Sequence, residues 1–396
     1  MAPEAELHHM RNARIESAER VSAQRLIPSL IVLLLGAAAV WSAQGPSDFL
    51  SPRNATPRPI VLSSAPQVSE QRCAECHSDI TDAYPSVPHA RTLSRATQEE
   101  MQISFAGRSF RHDQSEADFH YRSQDGRLLV STPGYARELT IDWIFGSGTH
   151  ARTPLITWTD NEGNTSAIEH SVSWYPDREL GVTLGMEKLK ETSGIVCLGL
   201  PRSAAETINC FGCHCTHVPT DDGRIQFEGI QPGIGCSRCH WNTTRHVHEM
   251  DLGLSSTIER FSLLTPVESV NRCGECHRRA DEMGGEITPE DETLVRFASV
   301  GLVQSACFKQ QQDVLLAPGR SARLDCTSCH DPHRPTSRDW RIHAAVCLDC
   351  HDAAHNRAPD CSTANRDDNC LTCHMPQRPA NEHLKFTDHW IRVRDK

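Results

Sequence analysis

Hydrophobic and polar positions divide the chain into three kinds of segment. A charged leader at residues 1–25 precedes a nearly unbroken apolar run from Leu26 to Trp41. Between residues 96 and 205, apolar and polar residues alternate over short stretches separated by turn residues, which is typical of half-buried strands. The chain contains 23 Gly and 23 Pro, so long uninterrupted elements are not expected, and residues 206–396 are predicted to form short helices and loops.

The alternating region contains specific strand signals. Residues Asp118 to Thr132 predict a hairpin around Asp125-Gly126, because Asp-Gly favours the positive φ angles of a two-residue turn. Residues 155–158 and 168–174 predict two more strands that flank a turn. We therefore expect a β-rich insertion at residues 96–205.

The apolar run predicts export from the cytoplasm. Its sixteen residues are short for a spanning helix and long for a signal-peptide core. The arginines of the leader at residues 1–25 would keep the N-terminus in the cytoplasm. Residues 26–42 are therefore a membrane anchor or a signal h-region. The rest of the chain is expected on the periplasmic side of the inner membrane, held by this helix or released after cleavage. Residues 43–68, rich in Pro and Ser, predict a linker.

The composition leaves little apolar material for a core. Only 38% of the residues are hydrophobic and 6% aromatic, whereas the chain contains 18 Cys and 22 His. We therefore expect the protein to bury something besides its own side chains. The net charge of −11 argues against nucleic acid as a partner, because no basic excess exists to neutralise phosphates.

Fourteen of the eighteen cysteines form seven C-x-x-C-H units, numbered here in chain order. This unit is the attachment signal for c-type haem. On one helical turn, residues i and i+3 share a face, so both thiols reach the vinyl groups of one porphyrin and the His at i+4 reaches its iron. Each unit predicts one covalently bound haem c and one proximal iron ligand. The cysteines are Cys73, Cys76, Cys210, Cys213, Cys236, Cys239, Cys273, Cys276, Cys326, Cys329, Cys347, Cys350, Cys370 and Cys373. The proximal ligands are His77, His214, His240, His277, His330, His351 and His374.

Zinc ribbons, redox pairs and disulfide frameworks also use paired cysteines. None of these sites requires a His directly after the second Cys of every pair, so the pattern favours haem attachment. The first unit lies in a haem segment at residues 69–95, and the other six lie in a six-haem segment at residues 206–396. At that density the macrocycles themselves are expected to form the core, with short α-helices and loops packed round seven haems.

A second axial ligand decides whether a haem iron carries electrons or binds a substrate. The exported part has more spare His than irons, so no iron is forced to stay five-coordinate. We expect at least five of the seven haems to have His on both faces. The distal candidates are His89, His150, His246, His248, His333, His343, His383 and His389. His112 and His120, in the alternating region, are interpreted as surface residues.

Four cysteines lie outside the units, and thiols tend to pair in an oxidising compartment. A Cys307–Cys361 disulfide is the candidate, because it would close a loop round the three C-terminal units. Free thiols and a pairing with Cys197 remain alternatives.

With these motifs the chain resembles multihaem cytochromes of the cytochrome c-554 type, in the group that carries cytochrome c-552/4 domains. The resemblance covers about residues 70–396. It implies periplasmic electron transfer with His on both faces of most irons, and it makes His89, His333 and His389 the best distal candidates. The chain departs from the family around the second unit, where Cys215 and His217 follow closely. The matching stretches are residues 73–77 with His89 downstream, 146–155, 232–240, 304–308, 326–333, 370–376 and 386–391.

Two functions fit these residues. The first is an electron-transfer protein that takes electrons from a membrane donor, such as a quinol oxidoreductase, and gives them to a basic-surfaced redox protein. The alternative is a multihaem oxidoreductase that acts on a small nitrogen or sulfur species at one open-coordinate haem. The haem of the second unit is the strongest candidate for that open position. A non-redox scaffold is the least favoured interpretation, and no catalytic side chain is predicted.

Overall fold

The computed structural model describes residues 68–190, 193–311, 315–317, 320–351 and 369–394. The predicted leader at 1–25, the anchor or signal region at 26–42 and nearly all of the linker lie outside these residues. The α-helices are short, as the pattern predicts. They are α1 (Glu70–Ala74), α2 (Ser78–Ala83), α3 (Glu99–Phe105), α4 (Ala204–His214), α5 (Cys236–Cys239), α6 (Thr243–Asp251), α7 (Pro266–His277), α8 (Ala298–Gln304), α9 (Ala306–Gln310), α10 (Cys326–Cys329), α11 (Trp340–Leu348) and α12 (Leu371–His374).

Most of the strands precede the second unit. They are β1 (Leu93–Arg95), β2 (Ser109–His112), β3 (Ala117–Gln124), β4 (Arg127–Thr132), β5 (Tyr135–Ile141), β6 (Trp143–Phe145), β7 (Thr153–Thr159), β8 (Thr165–His170), β9 (Val172–Trp174), β10 (Leu180–Val182) and β11 (Gly199–Arg202). The later strands are β12 (Cys215–His217), β13 (Thr220–Asp221), β14 (Arg224–Ile225), β15 (Gln231–Pro232), β16 (Leu315–Ala317), β17 (Arg320–Ser321), β18 (Gln377–Pro379) and β19 (Lys385–Thr387). These later strands form two-stranded sheets, which the expectation of helices and loops alone did not include.

Two antiparallel sheets dominate the region before the second unit. One has five strands in the order β1-β6-β7-β8-β11, and the other has four in the order β2-β3-β4-β5. The predicted hairpin is present as β3 and β4, where Gln124 pairs with Arg127. Its two turn residues, Asp125 and Gly126, both have positive φ angles, 51° and 73°, as a type I′ turn requires.

The five-stranded sheet is buried on both faces. On one face, Ile144, Ile156 and Ile168 share an apolar core with residues of the four-stranded sheet. On the other face, Trp143 and Leu155 pack in a second core that contains Phe211 of α4. Adjacent residues of β6 and β7 therefore point into different cores, as the two-residue period of a strand dictates. The sheet forms a rigid support behind the helix that ends with the second unit.

The described structure corrects two expectations. The apolar composition suggested that the protein lacks a core of its own, but the region between Leu93 and Arg202 has one, built from fully buried residues such as Phe119 and Leu128. His112 was interpreted as a surface residue, yet its side chain is fully buried. It lies at the end of β2, where its Nδ1 accepts a hydrogen bond from the backbone N–H of Ser115.

The two longest helices, α4 and α7, have clear start signals. Ser203 and Glu206 form a capping box at α4, and Thr265 and Glu268 form another at α7. Pro266 occupies the first turn of α7, where its missing N–H costs nothing. Both helices end on the His of a C-x-x-C-H unit. Within the described residues, no helix is long and apolar enough to cross a membrane.

Candidate haem-binding sites

Each C-x-x-C-H unit forms a turn of helix. Two units end the helices α4 and α7. In the other five, the backbone N–H of the His donates to the carbonyl of the first Cys at 2.8–3.0 Å, for His77, His240, His330, His351 and His374. This i to i+4 bond is helical, so the two thiols and the imidazole of a unit can address one macrocycle from the same side.

Four unit histidines face a second His ring that comes from a distant part of the chain. The pairs are His77 with His246 at 6.4 Å between ring centroids, His89 with His277 at 5.9 Å, His240 with His333 at 6.1 Å and His330 with His389 at 6.2 Å. In each pair, the partner of the unit His is one of the predicted distal candidates: His246, His89, His333 and His389. The structure therefore places four of the predicted distal candidates opposite unit histidines.

These separations fit a metal between the rings. With metal–nitrogen bonds of about 2.0 Å and about 1.2 Å from nitrogen to ring centroid, two imidazoles on opposite sides of one iron have centroids roughly 6.4 Å apart. Each such site has two thiols and one imidazole on a helical turn, and a second imidazole from elsewhere in the chain. These are the donors that hold a six-coordinate haem c.

Several of these imidazoles are oriented through their other nitrogen. The Nδ1 atom of His246 lies 2.9 Å from Ser256 Oγ, and that of His389 lies 2.9 Å from the Thr387 carbonyl. His333 Nδ1 lies 3.1 Å from a carboxylate oxygen of Asp331. Such partners leave Nε2 for the iron and fix the ring.

Backbone carbonyls perform the same role for two proximal imidazoles. His214 Nδ1 lies 2.9 Å from the Thr92 carbonyl, and His374 Nδ1 lies 3.1 Å from the Arg392 carbonyl. Every residue has a backbone carbonyl, so the sequence could not indicate that those of Thr92 and Arg392 accept hydrogen bonds from these imidazoles.

His330 has two imidazole neighbours. His343 lies 5.8 Å from it and His389 lies 6.2 Å from it, measured between ring centroids. The Nε2 atom of His343 is bonded to the Ser337 carbonyl at 3.0 Å, whereas His389 is bonded only through Nδ1 to Thr387. His389 is thus the better placed distal ligand, because its Nε2 is left for the metal.

Burial favours the neutral form of four of these imidazoles. Burial, and then the neighbouring imidazoles, lower the pKa of His277 and of His330 to about 4. Burial also lowers the pKa of His89 and of His389. Neutral imidazole is the form that binds iron, so the environment favours the ligating state at neutral pH.

The second unit has different surroundings. The ring nearest to His214 is that of Phe145, at 4.8 Å between centroids, and Phe145 also packs edge-on against Phe211. Among the residues that the structure describes, no imidazole ring faces His214. Burial lowers the pKa of His214.

The remaining distal candidates do not face a unit His in the described residues. His150 lies against Phe386 with ring centroids 5.1 Å apart, and His248 is exposed on α6. His383 stacks on Tyr175 at 4.5 Å and its Nδ1 bonds to Asp177 at 2.7 Å. These contacts join the loop between β18 and β19 to the β-rich region.

Thiols of different units lie next to each other. Cys73 lies beside Cys236, so the first and third units are neighbours. Cys213 lies beside Cys276 and Cys273 lies beside Cys326, so the fourth unit neighbours both the second and the fifth. Cys347 of the sixth unit lies near Cys370 of the seventh unit and near Cys329 of the fifth unit. The order of the units in space therefore differs from their order in the chain.

The candidate disulfide involves Cys361, which lies outside the described residues, so it stays a prediction. Cys307 is among the free thiols of the described residues, and its electrostatic neighbours include Cys350. Cys197 and Cys215, the other cysteines outside the units, are both fully buried, each in a different apolar core.

A glycine holds His89 close to the second and third units. Gly233 has a φ angle of 80°, and a Cβ atom there would lie 2.2 Å from the Ala90 carbonyl oxygen. Its neighbour Ile234 donates its N–H to the His89 carbonyl at 2.8 Å. Only glycine permits this close approach of two backbones.

Helical C-x-x-C-H turns with facing imidazoles define a c-type cytochrome. Residues 183–240, which include the second and third units, match the family model for cytochrome c554 and c-prime. Over these residues the chain is similar to this family, in agreement with the resemblance predicted from the sequence. The crystal structure of the outer cell wall cytochrome OcwA is similar over 82% of this chain and 79% of that chain, with a TM-score of 0.48 and 14% identity. No curated protein matches the chain.

Proposed function

We propose that the chain is a periplasmic electron-transfer protein that relays electrons through seven covalently bound c-type haems. The observation that carries this proposal is the set of four facing imidazole pairs. When bound, haem supplies an iron that changes between ferric and ferrous states. An imidazole on each face of that iron keeps the coordination the same in both states, so little reorganises when an electron moves.

The chain's own residues supply three requirements of a relay. The facing imidazoles fix the axial positions. Ser256, Asp331 and the Thr387 carbonyl hold the rings through Nδ1. The thiol contacts between units bring neighbouring haem edges together, which supports short electron-transfer steps. The net charge of −11 suits a basic-surfaced acceptor, and a membrane quinol oxidoreductase is the proposed donor. The N-terminal apolar segment would tether the chain or direct its export.

Seven haem additions are expected in the mass spectrum of protein matured in an exporting host. Electron paramagnetic resonance of the oxidised protein should then show mainly low-spin iron. The ring planes of His240 and His333 differ by 4°, and those of His89 and His277 by 78°. Because the g anisotropy of a bis-imidazole haem depends on this angle, two distinct low-spin signals are expected. Fewer than six haems, or high-spin iron at three or more haems, would contradict the proposal.

The surroundings of His214 favour a second candidate function, a multihaem oxidoreductase acting on a small nitrogen or sulfur species at the second unit. Phe145, rather than an imidazole, is the ring against His214. If this haem is open, nitric oxide or hydroxylamine should bind and shift its Soret absorption. The response should disappear when Cys210 and Cys213 are both replaced by Ser. A response that survives the double replacement would place the open position elsewhere.

A further inference from the structure

The segment of residues 387–394, here called the C-terminal strap, contacts two candidate haem sites. His389 of the strap faces His330 of the fifth unit with ring centroids 6.2 Å apart. Three residues later, the Arg392 carbonyl accepts a hydrogen bond from Nδ1 of His374, the proximal imidazole of the seventh unit, at 3.1 Å. One short segment therefore supplies the imidazole that faces His330 at the fifth unit, and it orients the imidazole of His374 at the seventh unit.

Helices α8 and α9 hold the strap firmly. The backbone N–H of Ile391 donates to Ser305 Oγ at 2.8 Å, and Ser305 is fully buried. A Cβ atom at Gly301 would lie 2.8 Å from the backbone nitrogen of Trp390, so the strap lies directly on α8. A change of charge within the strap is thus expected to act electrostatically rather than by releasing the segment.

Asp388 is the acidic residue of the strap, and three Arg side chains surround its carboxylate. Its side chain is 5% exposed, and one carboxylate oxygen accepts from the Trp390 N–H at 2.9 Å. The other oxygen faces three guanidinium groups, those of Arg394 at 2.8 Å, Arg392 at 3.6 Å and Arg378 at 3.8 Å. One carboxylate therefore offsets three cations beside the two sites.

We propose that the negative charge of Asp388 sets the reduction potentials of the fifth and seventh haems together. This inference rests on the proposed function, because it assumes haem at both units. A carboxylate stabilises the ferric state, which carries one more positive charge than the ferrous state. Removing it leaves the positive charge of the three guanidinium groups less compensated, which favours the ferrous state. Because Asp388 is buried, water and salt screen this interaction weakly.

The test is a potentiometric titration of the mature protein with haem signals followed by absorption and electron paramagnetic resonance. In Asp388→Asn, two haems should shift to higher potential together. At a fixed potential the ratio of oxidised to reduced iron should fall about tenfold at each, which is about 59 mV for a one-electron couple. Asp388→Glu keeps the charge and should restore the original potentials. The control is Asp118→Asn, which removes an exposed partner of Arg111 in the β-rich region.

A second variant tests the sign. Arg378→Gln removes one of the cations that face Asp388, so the same two haems should shift to lower potential. No shift, a shift at one haem only, or an equal shift in Asp118→Asn would overturn the inference. The titration needs no redox partner. A protein that shows the paired shifts but passes no electrons to protein acceptors would therefore contradict the proposed function alone.

Discussion

Without haem attachment, residues 93–230 are expected to survive protease treatment while the later part of the chain is degraded. This fragment contains both apolar cores, because Phe211, Val218 and Ile225 complete the outer face of the five-stranded sheet. Among the described residues after 230, the apolar cluster is small and lies around Val270, Leu302 and Phe308. Burial of apolar surface is the main stabilising term in folding, so the difference between the two parts should be large.

The measurement is limited proteolysis with mass spectrometry on chain expressed in a host that lacks haem ligation. The control is the same chain matured with haem, which should resist over both parts. Degradation of the whole haem-free chain at one rate would show that the β-rich region cannot fold alone. Resistance of the later part without haem would show that its core does not depend on the macrocycles.

Replacement of His246 by Ala is expected to convert the haem of the first unit from low-spin to high-spin iron. His246 faces His77 at 6.4 Å between ring centroids, and its removal leaves the proposed iron with one imidazole. The oxidised protein should gain a high-spin resonance equivalent to one haem. Added imidazole should fill the vacant position and restore the low-spin signal.

His248→Ala is the matched control, since His248 lies on the same helix and is exposed. It should leave the spectrum unchanged. A high-spin signal in His248→Ala, or none in His246→Ala, would mean that a different residue coordinates this iron.

Local features of the fold were predictable because neighbouring residues determine them. The Asp125-Gly126 hairpin follows from turn chemistry, and the C-x-x-C-H turns follow from helical spacing. The existence of strands between residues 96 and 205 follows from two-residue alternation. The size of their apolar core was underestimated. The composition of the whole chain does not show that the apolar residues are concentrated in one region.

The pairing of imidazoles could not be read from the sequence. His246 and His248 are two positions apart on α6 and therefore point in different directions, but only the packing of the helix decides which one meets His77. His383 was an equally good candidate by composition. Its ring is occupied by Tyr175 and Asp177, which lie two hundred residues earlier in the chain. Contacts of this kind depend on tertiary structure, and no local pattern encodes them.

The pairing of His77 with His246 has a consequence for biogenesis. A chain exported from its N-terminus presents the first C-x-x-C-H unit to the haem ligation machinery long before α6 arrives. Until α6 is exported, a newly attached first haem would lack the imidazole of His246, and its iron would be accessible to other ligands and to oxidants. The fifth unit is in a similar position, because His389 lies far downstream of His330 in the chain. Maturation of this cytochrome is therefore expected to pass through a transient species whose reactivity differs from that of the finished protein.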